Sequence, residues 1–126
     1  MLTIASSSRI FLVTGVTDVR KSYDSLSAIV SGILKKDPYA GDLYLFCNRR
    51  RNRLKILAFD GSGLWVCAKR LERGTFAWPH SDQSSLDLTP EELWLLLGGI
   101  DLSDAVRRRW YTRPGSERRK TLVPAR

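Results

Sequence analysis

The sequence predicts an α+β fold. It is a small antiparallel β-meander of four or five strands with one helix packed on a face, followed by a short C-terminal helical segment and a basic tail. Three observations carry this. Before Asp37 the apolar residues recur at helical spacings of three and four. After Leu43 they come in short runs separated by turn signals. At Thr89 a compact helix-start signature appears.

The elements follow in order. Arg9-Ile10-Phe11-Leu12-Val13 is an apolar run closed by Thr14-Gly15 and reads as a strand. Thr17 or Asp18 offers an N-cap, and Val19, Tyr23, Leu26, Ile29, Val30, Ile33 and Leu34 line one helical face over residues 18–34. Within that helix Arg20 and Asp24 form an i,i+4 pair. Lys35 and Lys36 suit its negative end, and Asp37-Pro38 stops it. Leu43-Tyr44-Leu45-Phe46-Cys47 is apolar on both faces, as a central strand is. Leu54-Lys55-Ile56-Leu57-Ala58-Phe59 and Leu64-Trp65-Val66-Cys67-Ala68 flank the turn Asp60-Gly61-Ser62-Gly63. Phe76-Ala77-Trp78, ending at Pro79, reads as a short edge strand. Residues 80–88 are polar and read as a linker. Thr89-Pro90-Glu91-Glu92 provides cap, N1 proline and capping-box glutamate, with Leu88 and Leu93 at the staple positions; Gly98-Gly99 ends the helix.

A chain of 126 residues is sized for one principal domain. The organisation expected is an α+β core over residues 9–79, the linker 80–88, a helical segment 89–109 and a flexible basic tail 110–126. With 43% hydrophobic and 27% charged residues the chain is not wholly disordered. Two cysteines without CxxC spacing and one histidine argue against a disulfide framework, a structural zinc and histidine-based chemistry. Cys47 and Cys67 read as small core residues, and His80 as a loop residue. No apolar run approaches a membrane span, and the first residues lack a signal-peptide pattern, so the expected setting is the cytoplasm without a membrane partner. No cofactor or metal is expected, because the acids are too scattered for a ligand triad and no phosphate-binding glycine loop is present.

The net charge of +8 is unevenly placed. Residues 41–79 carry net +5, residues 80–105 net −6 and residues 106–126 net +7. Such an excess favours an acidic partner: nucleic acid, an anionic membrane or an acidic protein. Asn48-Arg49-Arg50-Arg51-Asn52-Arg53 is the sharpest feature: four arginines at a hairpin tip, where guanidiniums repel one another unless anions gather. The alternative is a solvated loop that keeps an edge soluble. Pairing across the following turn brings Arg53 and Lys55 near Lys69 and Arg70, with Arg73 just beyond, so one end of the sheet is basic. Tyr44, Phe46, Phe59 and Trp65 offer stacking surfaces, or else belong to the core. Arg107, Arg108 and Arg109 open the tail, which serves as a phosphate-binding arm or folds back on the acidic stretch.

Several blocks, in this order and spacing, resemble one family. They are residues 15–26 (Gly15-Val16-Thr17-Asp18-Val19-Arg20-Lys21 at their head), Asp37-Pro38 with Phe46-Cys47-Asn48-Arg49-Arg50, Leu54 to Gly63, Ala68-Lys69-Arg70-Leu71-Glu72-Arg73-Gly74 through Pro79, and Leu95-Leu96-Leu97-Gly98-Gly99-Ile100-Asp101. Together they resemble the insertion-sequence accessory protein TnpB, the Orf-two-like protein of the group numbered sixty-six. It is unrelated to the RNA-guided nuclease of the same name. The resemblance spans residues 9–101 and implies a non-enzymatic bacterial protein that assists a transposase. It carries no catalytic residues. Its basic positions map onto Arg20, Lys21, Arg49, Arg50, Lys69, Arg70 and Arg73. The partners it implies are DNA, at element ends or target, and the transposase with other accessory proteins of the element. The competing reading is a protein adaptor that docks on the transposase through the acidic segment and Trp94-Leu95-Leu96-Leu97, without touching DNA.

Overall fold

The computed structural model describes residues 8–99. Five strands and two helices follow one another as β1 (Ile10–Val13), α1 (Tyr23–Gly32), β2 (Leu43–Cys47), β3 (Arg53–Phe59), β4 (Leu64–Arg70), β5 (Ser85–Leu88) and α2 (Pro90–Leu97). They form one sheet of order β4-β3-β2-β1-β5. The β2-β3-β4 part is the expected antiparallel meander, with Leu45 opposite Ile56 and Ile56 opposite Cys67.

The sheet as a whole is mixed, which corrects the purely antiparallel expectation. β1 runs parallel to β2, Ile10 facing Leu43 and Leu12 facing Leu45. The reason is the helix between them. A strand, a crossover helix and a returning strand bring the chain back in its original direction, whereas a hairpin reverses it.

Alternation along the central strands divides the core in two. On one face Phe11, Val13, Tyr44, Phe46 and Leu57 pack with Leu26 and Val30 of α1 and with Leu34. On the other, Ile10, Leu12, Leu43, Leu45, Leu54 and Ile56 pack with Phe76, Trp78, Leu88 and, from α2, Leu93 and Leu96. The sheet is therefore covered on both faces, so β1 and β2 are apolar throughout. Cys47 is buried in the second cluster and Cys67 packs against it.

Three local expectations change. Phe76-Ala77-Trp78 is not a strand; it lies across the second face, and the Trp78 indole donates to the Val13 carbonyl at 2.9 Å. The fifth strand lies within the stretch read as a linker: Ser85–Leu88 pairs antiparallel with β1, Leu86 opposite Leu12 and Leu88 opposite Ile10. Helix α1 is shorter than residues 18–34, with Ser22 at its N-cap. Thr17 instead sits buried before it, donating its N–H to the Cys47 carbonyl at 2.9 Å. The α2 start is as the sequence indicated. Thr89 Oγ1 accepts from Glu92 N–H, and Glu92 Oε1 accepts from Thr89 N–H, at 3.1 and 2.9 Å.

Candidate nucleic-acid interface

Parallel β1 and β2 end at the same edge of the sheet, so the loops that leave them lie side by side. The β1–α1 loop carries Val16 to Arg20; the β2–β3 tip carries Asn48 to Asn52. The tip is built by Asn48. Its Oδ1 accepts from the Asn52 and Arg53 N–H groups at 3.1 and 3.0 Å, and its amide donates to Asn52 Oδ1 at 2.9 Å. Short polar side chains at turns bond the backbone this way.

The tip arginines then part. Arg49, Arg50 and Arg53 are exposed. Arg51 is half-buried, adopts φ 59, and lays its guanidinium 5.8 Å from the Trp78 ring centre. Its carbonyl accepts the Phe76 N–H at 2.6 Å, pinning the tip to the 71–79 segment. The same guanidinium stands by Cys47, whose thiol burial pushes up while Arg51 pulls it down. Burial prevails, and a thiol held protonated is a poor nucleophile. Arg51 is thus turned inward against Trp78, apart from the exposed Arg49, Arg50 and Arg53.

Two adjoining hollows run across this sheet end. The first, about 480 Å³, is lined by Val16 to Arg20 on one side and Asn48, Arg49, Arg50, Asn52 and Arg53 on the other. The second, about 430 Å³, is lined by Val19, Arg20, Arg53, Leu54, Lys55, Ala68, Lys69 and Arg70. Val19, Arg20 and Arg53 belong to both, so the hollows form one trough.

Strand register explains its walls. Arg53 pairs with Arg70 and Lys55 with Ala68 on the α1 face, while Lys69, opposite Leu54, points to the α2 face. There its ammonium donates to the Leu97 carbonyl at 2.8 Å. Lys55 donates to the Lys21 carbonyl at 2.8 Å, and Arg70 pairs with Glu72 at 3.2 Å. Arg20 pairs with Asp18 at 2.8 Å, in place of the expected Asp24. Lys21 and Arg73 are exposed but line neither hollow. Arg107, Arg108 and Arg109, with the rest of the basic tail, lie outside the described residues.

Among the described residues, no aromatic ring lines the trough. Tyr44 and Phe46 are core, Phe59 meets Tyr39 edge-on at 5.2 Å, and Trp65 lies at the far end of β4, bonded to Asp60. Of the two readings of these aromatics, the core one holds for Tyr44 and Phe46. What the sequence reading missed is the wall formed by Asn48, Asn52 and Val16. An asparagine just before an arginine-rich tip is a turn-organiser signal that could have placed the first of these.

The fold is thus a small α+β domain with a cationic trough that no aromatic ring among the described residues lines. A family model described as IS66 Orf2 like protein matches residues 8–107, and the chain belongs to that family. Two relatives come from Sinorhizobium fredii (strain NBRC 101917 / NGR234). The uncharacterized protein y4hO is 38% identical over 101 residues, covering 80% of this chain and 88% of the relative. The uncharacterized protein y4jC is 38% identical over 106 residues, covering 84% and 90%. No solved structure matches the chain. The family ties the protein to insertion sequences as an accessory component. No helix among the described residues is long and apolar enough to cross a membrane.

Proposed function

We propose that the chain is a non-enzymatic accessory factor of transposition that grips duplex DNA by its phosphates and works beside the transposase. One observation supports this most: Arg20 and Arg53 wall two adjoining hollows, so their cations follow a track rather than a point. Arginine forks suit phosphate oxygens, and a track suits a backbone. Among the described residues no aromatic ring lines the trough, which favours a duplex over unpaired bases, for which aromatic platforms are used.

The adaptor reading rests on Trp94, which is 64% exposed on α2. Its helix is otherwise committed inward, since Leu93 and Leu96 are core. Of the Trp94-Leu95-Leu96-Leu97 surface, one prominent residue remains for a transposase to meet. Titration of element-end and unrelated duplexes across salt, with and without the transposase, separates the two. Steep salt dependence on both duplexes without the transposase supports phosphate binding. Binding only in its presence supports the adaptor.

A further inference from the structure

The Arg20 guanidinium in the trough already holds an anion. Its Nε donates to both Asp18 oxygens at 3.0 and 3.2 Å, and a terminal nitrogen donates to Oδ2 at 2.8 Å. Two oxygens against one edge of a guanidinium is also how that group takes a phosphate. The Arg20 N–H donates to Asp18 Oδ1 at 3.0 Å, which fixes the carboxylate in place. Among the described residues that line the two hollows, Asp18 is the one acid. Those Arg20 bonds hold it well below the usual carboxylate range, so it is charged at neutral pH. The side chains are 88% and 43% exposed, and exposed pairs of this kind contribute little. The pair can therefore open.

We propose that Asp18 is a built-in competitor for the nucleic-acid backbone: it occupies the phosphate-binding edge of Arg20 and is displaced when DNA enters the trough. The inference rests on the reading of the trough as a DNA-phosphate site. The competition lowers affinity for every sequence alike, because it acts on the backbone and not on bases. Arg49, Arg50 and Arg53 meet no carboxylate among the described residues and make the first contacts. Arg20 joins only where its partner is pushed aside. A chain so arranged holds DNA firmly enough to assist and loosely enough to release it.

Asp18→Asn tests this. Asparagine keeps the Oδ1 acceptor for the Arg20 N–H, so the loop is preserved, while the charge on the guanidinium's partner is removed. A short duplex of unrelated sequence is titrated across potassium chloride. In the native chain the Arg20 contact trades a carboxylate for a phosphate with no net counterion release; Asp18→Asn should turn it into net release, steepening the log-affinity against log-salt slope by about 0.9 and tightening binding about eightfold at 0.1 M salt. Arg20→Ala should remove the whole gain in the Asp18→Asn background. Asp24→Asn deletes a charge on exposed α1 without freeing Arg20, and should leave the slope unchanged. Looser or unchanged binding by Asp18→Asn overturns the proposal, as does a gain that survives Arg20→Ala. Native binding that is flat in salt overturns the trough reading itself. A steep native slope with an unresponsive Asp18→Asn overturns the competitor alone.

Discussion

Replacing Arg49, Arg50 and Arg53 together by alanine is the most direct perturbation of the trough. These three guanidiniums are exposed, line the hollows and meet no carboxylate among the described residues. Each is therefore assigned one phosphate. For a duplex, each contact contributes about 0.9 to the slope of log affinity against log salt. Losing three should flatten that slope by roughly 2.7 units. Extrapolated from 1 M to 0.1 M salt, the same term amounts to a loss of roughly 500-fold in affinity. Fluorescence anisotropy of a labelled duplex at five or more salt concentrations reads both quantities. Arg73→Ala removes an exposed cation that lines neither hollow, and should leave the slope within about 0.3 units of native. A triple variant whose slope shifts by less than one unit, or an Arg73→Ala shift as large per residue, would refute the assignment of phosphates to the trough.

Other outcomes follow from the packing. Arg51→Ala should cost about 1–2 kcal/mol of stability in urea unfolding, through the lost Trp78 contact and stem packing, a cost Arg49→Ala should not share. Leu96→Ala, at a fully buried position under the sheet, should cost about 2–5 kcal/mol, whereas Trp94→Ala should stay within about 0.5 kcal/mol. Asp60 accepts from the Trp65 indole, then from the Ser62 and Gly63 N–H groups, which hold its carboxyl below the usual range. A depressed folded-state pKa stabilises above the unfolded value of about 3.9 and is lost as pH falls through the folded one. Asp60→Asn should therefore unfold at lower denaturant than native at pH 7, and the gap should narrow below about pH 4.

The parts of the fold that depend on local pattern were legible. The period of α1's buried residues, the β2-β3-β4 hairpins and the Thr89 capping box each rest on neighbours in sequence. The β1–β2 pairing was not, because direction is set by what the intervening helix does and not by residues of either strand. That single choice decides the site: in an antiparallel pair, the Val16–Arg20 loop and the Asn48–Asn52 tip would lie at opposite edges. β5 was hidden because Ser85 and Asp87 make its composition polar, although Leu86 and Leu88 alternate as an edge strand's inward residues do. Arg51 was indistinguishable from its neighbours, since only a positive φ turns it back onto Trp78.

The position of β1 has a consequence for synthesis. Among the described residues it is the first strand made, yet it sits between β2 and β5, and β5 is the last of them. A chain emerging from the ribosome can assemble the crossover and the meander early, but the outer edge of β1 stays open until residue 88 is free. Until then its unpaired amides are a template for a neighbouring chain. The apolar face beneath waits equally for Leu93 and Leu96 of α2. Domains fold as units, N-terminal portions first, at about 5–20 residues per second. A nascent chain stalled near residue 79 would thus carry a nearly finished trough on a sheet whose other side remains sticky, and so would any fragment ending there.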